Sequence, residues 1–144
     1  MLDIYIREFE KEDHNFVMNS WLKSFEKTMK LMGTDTQIDR REQMRLMGGI
    51  IEKAKVYVAC PEDAQQQIYG YIVWDAVGDV GILHYVYVKN PYRRFGIGRK
   101  LYDCIERSTE IPCLATHKTL AFDYLKSWNL AFNPYFLLKG DYYE

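Results

Sequence analysis

Apolar residues in this chain alternate at two different periods, and the changes of period divide it into elements. Ile4, Ile6 and Phe9 with polar residues between them predict a strand over Asp3–Glu8. Asp13 or Glu12 then opens a helix in which Phe16, Val17, Trp21, Leu22 and Phe25 recur at three-to-four spacing, to about Phe25. Lys27–Gln37, with Gly33 and three threonines, reads as a loop. A second helix runs from Asp39, its cap, to Lys53, with Met44, Met47, Ile50 and Ile51 as its apolar stripe. Gly48 and Gly49 weaken it by about 1 kcal/mol each relative to alanine and mark either a bend or a close approach.

From Lys55 the period becomes two. Lys55–Cys60 is a strand ended by Pro61-Glu62-Asp63, and Gln67–Ala76 is the next. In that second strand Tyr69, Tyr71 and Val73 face one way and Ile68, Ile72 and Trp74 the other. Gly78-Asp79 turns into a third strand, Val80–Lys89. A helix with Leu101, Cys104 and Ile105 inward follows to about Arg107. Pro112–Thr116 is a short strand, Thr119 caps a helix to about Trp128, and Asn129–Leu138 supplies one or two short strands. The order β-α-α-β-β-β-α-β-α-β describes one α/β domain over residues 1–144, without repeats, linkers or low-complexity tracts.

Composition narrows the class. With 144 residues, 48% hydrophobic and 27% charged, the chain can bury a real core. A formal net charge of -1 argues against nucleic acid or an acidic membrane as partner. No apolar run reaches membrane-spanning length and the N-terminus has no signal-peptide pattern. Cys60, Cys104 and Cys113 form an odd set without metal-ligand spacing, as expected of reduced thiols in a cytoplasmic protein. No metal site is expected.

The chemistry concentrates in Val86-Tyr87-Val88-Lys89-Asn90-Pro91-Tyr92-Arg93-Arg94-Phe95-Gly96-Ile97-Gly98-Arg99-Lys100-Leu101. A strand, a basic loop with two glycines and a helix start follow in the order that binds a phosphate. The first amides of a helix lack intrahelical acceptors and carry the positive end of its dipole. Glycines remove side chains that would hold an anion away from them. A Rossmann site needs a third glycine and a P-loop needs Gly-Lys-Ser/Thr; neither is here.

The spacing Arg93-x-x-Gly96-x-Gly98 resembles the (Gln/Arg)-x-x-Gly-x-(Gly/Ala) signature of the GNAT superfamily of acyl-CoA N-acyltransferases, and the element order matches its fold over nearly the whole chain. The resemblance implies a central, mixed, mostly antiparallel twisted sheet with helices on both faces. It also implies an N-acetyltransferase that moves an acetyl group from acetyl-CoA to a primary amine by direct attack. The backbones of Val86, Tyr87 and Val88 would pair with the pantetheine arm beside a bulge in their strand. Amides of Arg94, Phe95, Gly96, Ile97, Gly98 and Arg99 would hold the pyrophosphate, and the Val86 amide would stabilise the oxyanion.

Tyr124-Leu125-Lys126-Ser127-Trp128 is similar to the family's Tyr-Glu-Lys-Leu-Gly-Phe, which gives Tyr124 the role of acid to the leaving thiolate. Trp128-Asn129 stands where the family has glycine, so the helix exit departs from the pattern. An ammonium acceptor of pKa about 10.4 needs a base. His84, in strand alternation with Val86 and Val88 where relatives often carry glutamate, has a suitable pKa range; its other reading is a hydrogen-bonded structural histidine. His117 stands where many relatives have asparagine, and contacts the cofactor, belongs to the acceptor site, caps the next helix or faces solvent. Asp75 is a candidate attractor of a cationic acceptor.

Trp21-Leu22-Lys23-Ser24-Phe25, His84-Tyr85-Val86-Tyr87-Val88 and Thr116-His117-Lys118-Thr119 look like small members encoded by tailed bacteriophages, which implies a host cytoplasm. The family's usual C-terminal hairpin is longer than Asn129–Glu144 allows, so the last strand is short, missing or completed by a partner chain in a homodimer. The acceptor, a small molecule or a protein, is left open. So is a competing class, a catalytically silent CoA-binding or protein-interaction module.

Overall fold

The computed structural model describes residues 2–31, 36–117 and 127–135, and only the backbone of 28–31 and 36–39. Six strands form one sheet in chain order: β1 (Tyr5–Glu8), β2 (Lys55–Cys60), β3 (Gly70–Val77), β4 (Val80–Val88), β5 (Cys113–Ala115) and β6 (Leu130–Phe132). Neighbours from β1 to β4 are antiparallel, whereas β4–β5 and β5–β6 are parallel. α1 (His14–Leu31) and α2 (Thr36–Lys53) lie between β1 and β2 in the chain, and the short α3 (Ile97–Tyr102) follows β4.

Two apolar clusters lie on opposite faces of the sheet, as strand alternation requires. On one face Val17, Trp21 and Phe25 of α1 and Met47 and Ile50 of α2 pack on Val56, Val58, Tyr71, Val73 and Tyr85. On the other, Ile97, Leu101 and Tyr102 of α3 pack on Ile72, Trp74 and Leu83, with Val86 and Val88 against them. The expected architecture, a mixed sheet with helices on both faces, is the observed one.

Several boundaries differ from the sequence reading. α1 continues to Leu31 and α2 begins at Thr36, so most of the expected Lys27–Gln37 loop is helical. The residues at its edges are adequate helix formers and need no break. α1 is preceded by a single tight turn, Lys11–Asp13. There the Asp13 carboxylate accepts from the Glu10 amide (2.8 Å) and from both terminal nitrogens of Arg7 (2.7 and 2.9 Å). Gly48 lies within an unbroken helix, and a Cβ there would meet nothing within 4 Å, so no close approach explains it.

α3 ends at Tyr102 rather than Arg107. The Arg107 guanidinium lies 4.3 Å from the Tyr102 ring and donates to the carbonyls of Tyr102 and Ile105, ending the helix by satisfying its last acceptors. Tyr69 and Ile68 also fall on faces opposite to the expected ones. Tyr69 donates to Ala59 on one side and accepts from Lys89 on the other, which regular alternation forbids, so parity breaks just before β3. The expected helix from Thr119 lies almost wholly outside the described residues, as does any strand beyond Tyr135.

Candidate functional site

The β3–β4 ladder shifts register once. Val73 faces Tyr85 but Trp74 faces Leu83, so His84 is the extra residue of a bulge. The bulge changes which wall His84 lines. It does not share a face with Val86 and Val88, as simple alternation predicts; it joins Tyr85 on the side of Asp75 and α1.

Hydrogen-bond parity fixes where the β4 peptide groups point. Phe9 donates to the Val56 carbonyl, so Val56 serves β1 and Tyr57 serves β3. Its partner Ile72 therefore serves β2, and Tyr71 and Val73 serve β4, paired with Tyr87 and Tyr85. The peptide groups of Val86 and Val88 consequently face away from β3. Parallel pairing with β5 ends at Leu83↔Ala115, so among the described residues no strand pairs with that edge of Val86–Val88. This open edge is what an extended amide-bearing ligand needs in order to add as a strand.

The glycine loop closes the far end. Gly96, at φ 79°, is left-handed and immediately precedes α3; Arg94, at φ 73°, is left-handed too, which the sequence did not indicate. Left-handed followed by right-handed backbone turns successive amides toward one concave surface, a conformation that binds anions. Among the described residues, the amides of Arg94, Phe95, Gly96, Ile97, Gly98 and Arg99 donate to no protein acceptor. A Cβ on Gly96 would meet nothing within 4 Å, so the space before it is open. These observations fit a diphosphate.

The basic side chains around the loop largely serve the protein. Arg93 Nε donates to the Val88 carbonyl (2.8 Å), Arg99 Nε to Asp103 (3.1 Å) and Lys100 Nζ to the Ile4 carbonyl (3.3 Å). Arg94 is exposed, as is Phe95. Trp128 stacks on Tyr102 with centroids 4.5 Å apart, and its carbonyl accepts from the Tyr102 hydroxyl. Asn129 then takes a left-handed φ of 55°. Asparagine is the side chain that best tolerates this conformation, so Asn129 does at the departure from the motif what glycine would do. Tyr124 lies outside the described residues.

His84 is 1% exposed. Its Nε2 lies 3.5 Å from Asp75 Oδ2 and its Nδ1 2.9 Å from Thr116 Oγ1. Burial holds its pKa below the ordinary histidine value, with Asp75 opposing. The sequence reading treated Asp75 as an attractor of substrate; the structure pairs it with His84. His117 is half-buried, and the same Thr116 oxygen lies 3.0 Å from its Nδ1. The rings of Trp21 and Phe25 make T-shaped contacts with its ring at centroid distances of 5.4 Å each. Burial first, and the neighbouring His84 second, push the His117 pKa down to about 3, opposed by a hydrogen bond between its ring and the His84 backbone. Thr116 was not singled out as a site residue, because nothing in sequence spacing reveals that β5 lies beside the bulge.

On the same face, Trp21 stacks on Tyr85 at 5.2 Å, and the Tyr85 hydroxyl bonds Ser24. Burial pushes the Tyr85 pKa up to about 12. Beside them Phe16, Ser20, Lys23, Lys27 and Tyr87 border an open cavity of about 460 Å³. No helix among the described residues is long and apolar enough to cross a membrane, and no three metal-ligating side chains cluster there.

Comparison with known proteins accounts for this arrangement. The family model described as "Acetyltransferase (GNAT) family" matches residues 10–131. No match was found among curated proteins. Among solved structures the chain is similar to the PaiA N-acetyltransferase of Thermoplasma acidophilum, solved in complex with coenzyme A. The two are 19% identical, with a TM-score of 0.52, over 69% of this chain and 67% of that one. It is also similar to apo YjaB of Escherichia coli, at 22% identity and a TM-score of 0.51, over 71% of this chain and 63% of that one. A GNAT family acetyltransferase of Staphylococcus aureus gives 16% and 0.50, over 68% and 84%. At these identities the likeness is one of fold. The family match covers most of the chain and includes the bulged strand, the glycine loop and Thr116-His117, and the chain belongs to the GNAT family of acetyltransferases.

Proposed function

We propose that this protein is an acetyl-CoA-dependent N-acetyltransferase acting on a primary amine carried by a small molecule or a protein. The observation that carries the reading is the edge of Val86–Val88, open among the described residues and running from a bulge at His84 to a glycine loop whose amides have no protein acceptor among them. In a family of acetyltransferases these features form one continuous track: main chain for an amide-bearing arm, then a cradle for two phosphates.

On this reading the outward peptide groups of Val86 and the Val88 amide orient the pantetheine arm, Tyr87 being turned toward β3 and paired with Tyr71, and the Val86 amide donates to the thioester carbonyl as negative charge develops there. Amides from Arg94 to Arg99 hold the pyrophosphate. Tyr124 gives a proton to the departing thiolate, whose free pKa is near 8.5. His84 receives the acceptor's proton. It is neutral at pH 7, and the Asp75 carboxylate favours its charged form once it is protonated.

A second reading, a silent CoA-binding or protein-interaction module, is favoured by the burial of His84. Two measurements separate them. Calorimetry with acetyl-CoA tests the track, and release of free CoA thiol with a panel of amines tests chemistry. Binding with turnover supports the transferase, binding without turnover on any amine supports the module, and no binding overturns both.

A further inference from the structure

Thr116 Oγ1 sits between two imidazoles, 2.9 Å from His84 Nδ1 and 3.0 Å from His117 Nδ1. A hydroxyl has one proton, so it donates to one of these nitrogens and must accept from the other. One histidine therefore carries its proton on Nδ1 and the other does not. Asp75 decides between the two arrangements. Its Oδ2 lies 3.5 Å from His84 Nε2, where a lone pair would face a carboxylate and an N–H is attracted to it. His84 is then protonated on Nε2, its Nδ1 accepts from Thr116, and the Thr116 oxygen accepts from His117 Nδ1–H. The lone pair left over is on Nε2 of His117.

His84 is buried, with Nε2 3.5 Å from Asp75 Oδ2 and Nδ1 2.9 Å from Thr116 Oγ1. His117 is the partly exposed end of the chain. We propose that Thr116 is a positioning residue that fixes His84 and His117 in complementary tautomers, so that His117 Nε2 meets the acceptor amine and passes its proton inward to His84. The catalytic part of this proposal rests on the acetyltransferase reading above; the tautomer part does not.

The transfer balances. The acceptor ammonium gives a proton to His117 Nε2. The proton on His117 Nδ1 moves to the Thr116 oxygen as the Thr116 proton moves to His84 Nδ1. His117 returns to neutrality with its proton on Nε2, and the positive charge rests on His84 beside the Asp75 carboxylate. The groups that face the relay account for this direction. α1 presents the rings of Trp21 and Phe25 to His117, β4 presents the His84 ring, the His84 backbone hydrogen-bonded to the His117 ring, and Tyr85 stacked on Trp21, and β3 presents Asp75. A charge left on His117 would lie among rings, whereas on His84 it has a counter-ion.

The test is imidazole ¹⁵N NMR on the full chain without ligand, with assignments from single histidine substitutions, and CoA-release kinetics alongside. The proposal expects His84 as the Nε2–H tautomer and His117 as Nδ1–H in the unsubstituted protein. Thr116→Val should abolish the Nδ1–H preference of His117 and lower kcat by about 10²-fold with acetyl-CoA affinity unchanged. Thr116→Ser should restore both. Finding His117 as Nε2–H in the unsubstituted protein overturns the proposal even if Thr116→Val does not fold. A folded Thr116→Val protein with unaltered tautomers, or with unaltered kcat, overturns it too. Absence of turnover in the unsubstituted protein removes the acetyltransferase reading and the catalytic role together, while the tautomers still decide the positioning claim.

Discussion

Acidification to pH 5 should weaken this fold measurably, through histidine rather than through carboxylates. The His117 pKa lies near 3 in the folded chain, against about 6.5 when unfolded. Between these values the unfolded chain binds more protons, so stability is complete above about pH 6.5 and falls as pH drops toward 3. For one such group the loss between pH 7 and pH 5 is about 2 kcal/mol, and screening of the partly exposed ring makes this an upper figure. His84, also shifted downward by burial, adds to it with the same sign. In a chain of this length the His117 share alone lowers Tm by roughly 4–8 °C. Asp13 acts elsewhere: Arg7 holds its pKa below the ordinary carboxylate value against burial, so its contribution is lost only below about pH 4. The assay is urea unfolding at pH 7, 6 and 5, with His117→Asn beside the unsubstituted chain. The substituted protein should lose most of the pH dependence in this window. Parallel curves would refute the claim that the fold holds His117 neutral.

Five further substitutions have expected outcomes. Gly96→Val should abolish acetyl-CoA binding in calorimetry, because its side chain would fill the space before the loop amides. It should also lower stability by about 1–2 kcal/mol for a left-handed non-glycine residue, and unchanged affinity would exclude the loop as the cradle. Tyr124→Phe should keep binding and lower turnover by roughly 10²–10⁴-fold. His84→Ala should lower it most at low pH, where the amine most needs a base, and a loss equal at every pH would assign His84 to packing. Gly70→Ala should unfold readily in urea, since its Cβ would lie 2.3 Å from the Tyr87 carbonyl, which is backbone and part of the β3–β4 ladder. Gly48→Ala, with open space, should gain about 0.5–1 kcal/mol instead.

Much of this architecture was legible from periodicity and local chemistry. Lys55–Cys60 was placed at its observed bounds, and the turn at Gly78-Asp79 and the glycine loop fell where they were expected. What escaped the sequence depended on other elements. Whether residues 27–31 continue a helix is decided by weak propensities. The faces of Ile68, Tyr69 and His84 depend on two breaks in parity that no single-residue preference announces. Thr116 enters the site only because β5 packs parallel to β4 at Leu83, a contact between segments more than 30 residues apart. Asn129 shows the converse: the missing glycine was visible, but its replacement by another residue able to turn left needed the backbone to be seen.

Pairing with β3 makes β4 sensitive to length in a way it is not sensitive to composition. Exchanging one side chain there changes one contact. Deleting His84 would leave every pair with β3 as it is and remove only the bulge, whereas deleting a residue of the regular ladder would exchange the faces of everything on one side of the cut. With the cut ahead of the bulge, Tyr85 and Tyr87 would turn toward α3, Val86 and Val88 would turn beneath α1, and the outward amides would belong to the wrong residues. A family of enzymes can therefore vary the side chains along this strand to accept new amines while the count of paired residues between the Gly78 turn and the glycine loop stays fixed. Insertions and deletions that alter specificity have to be accommodated in the connections instead.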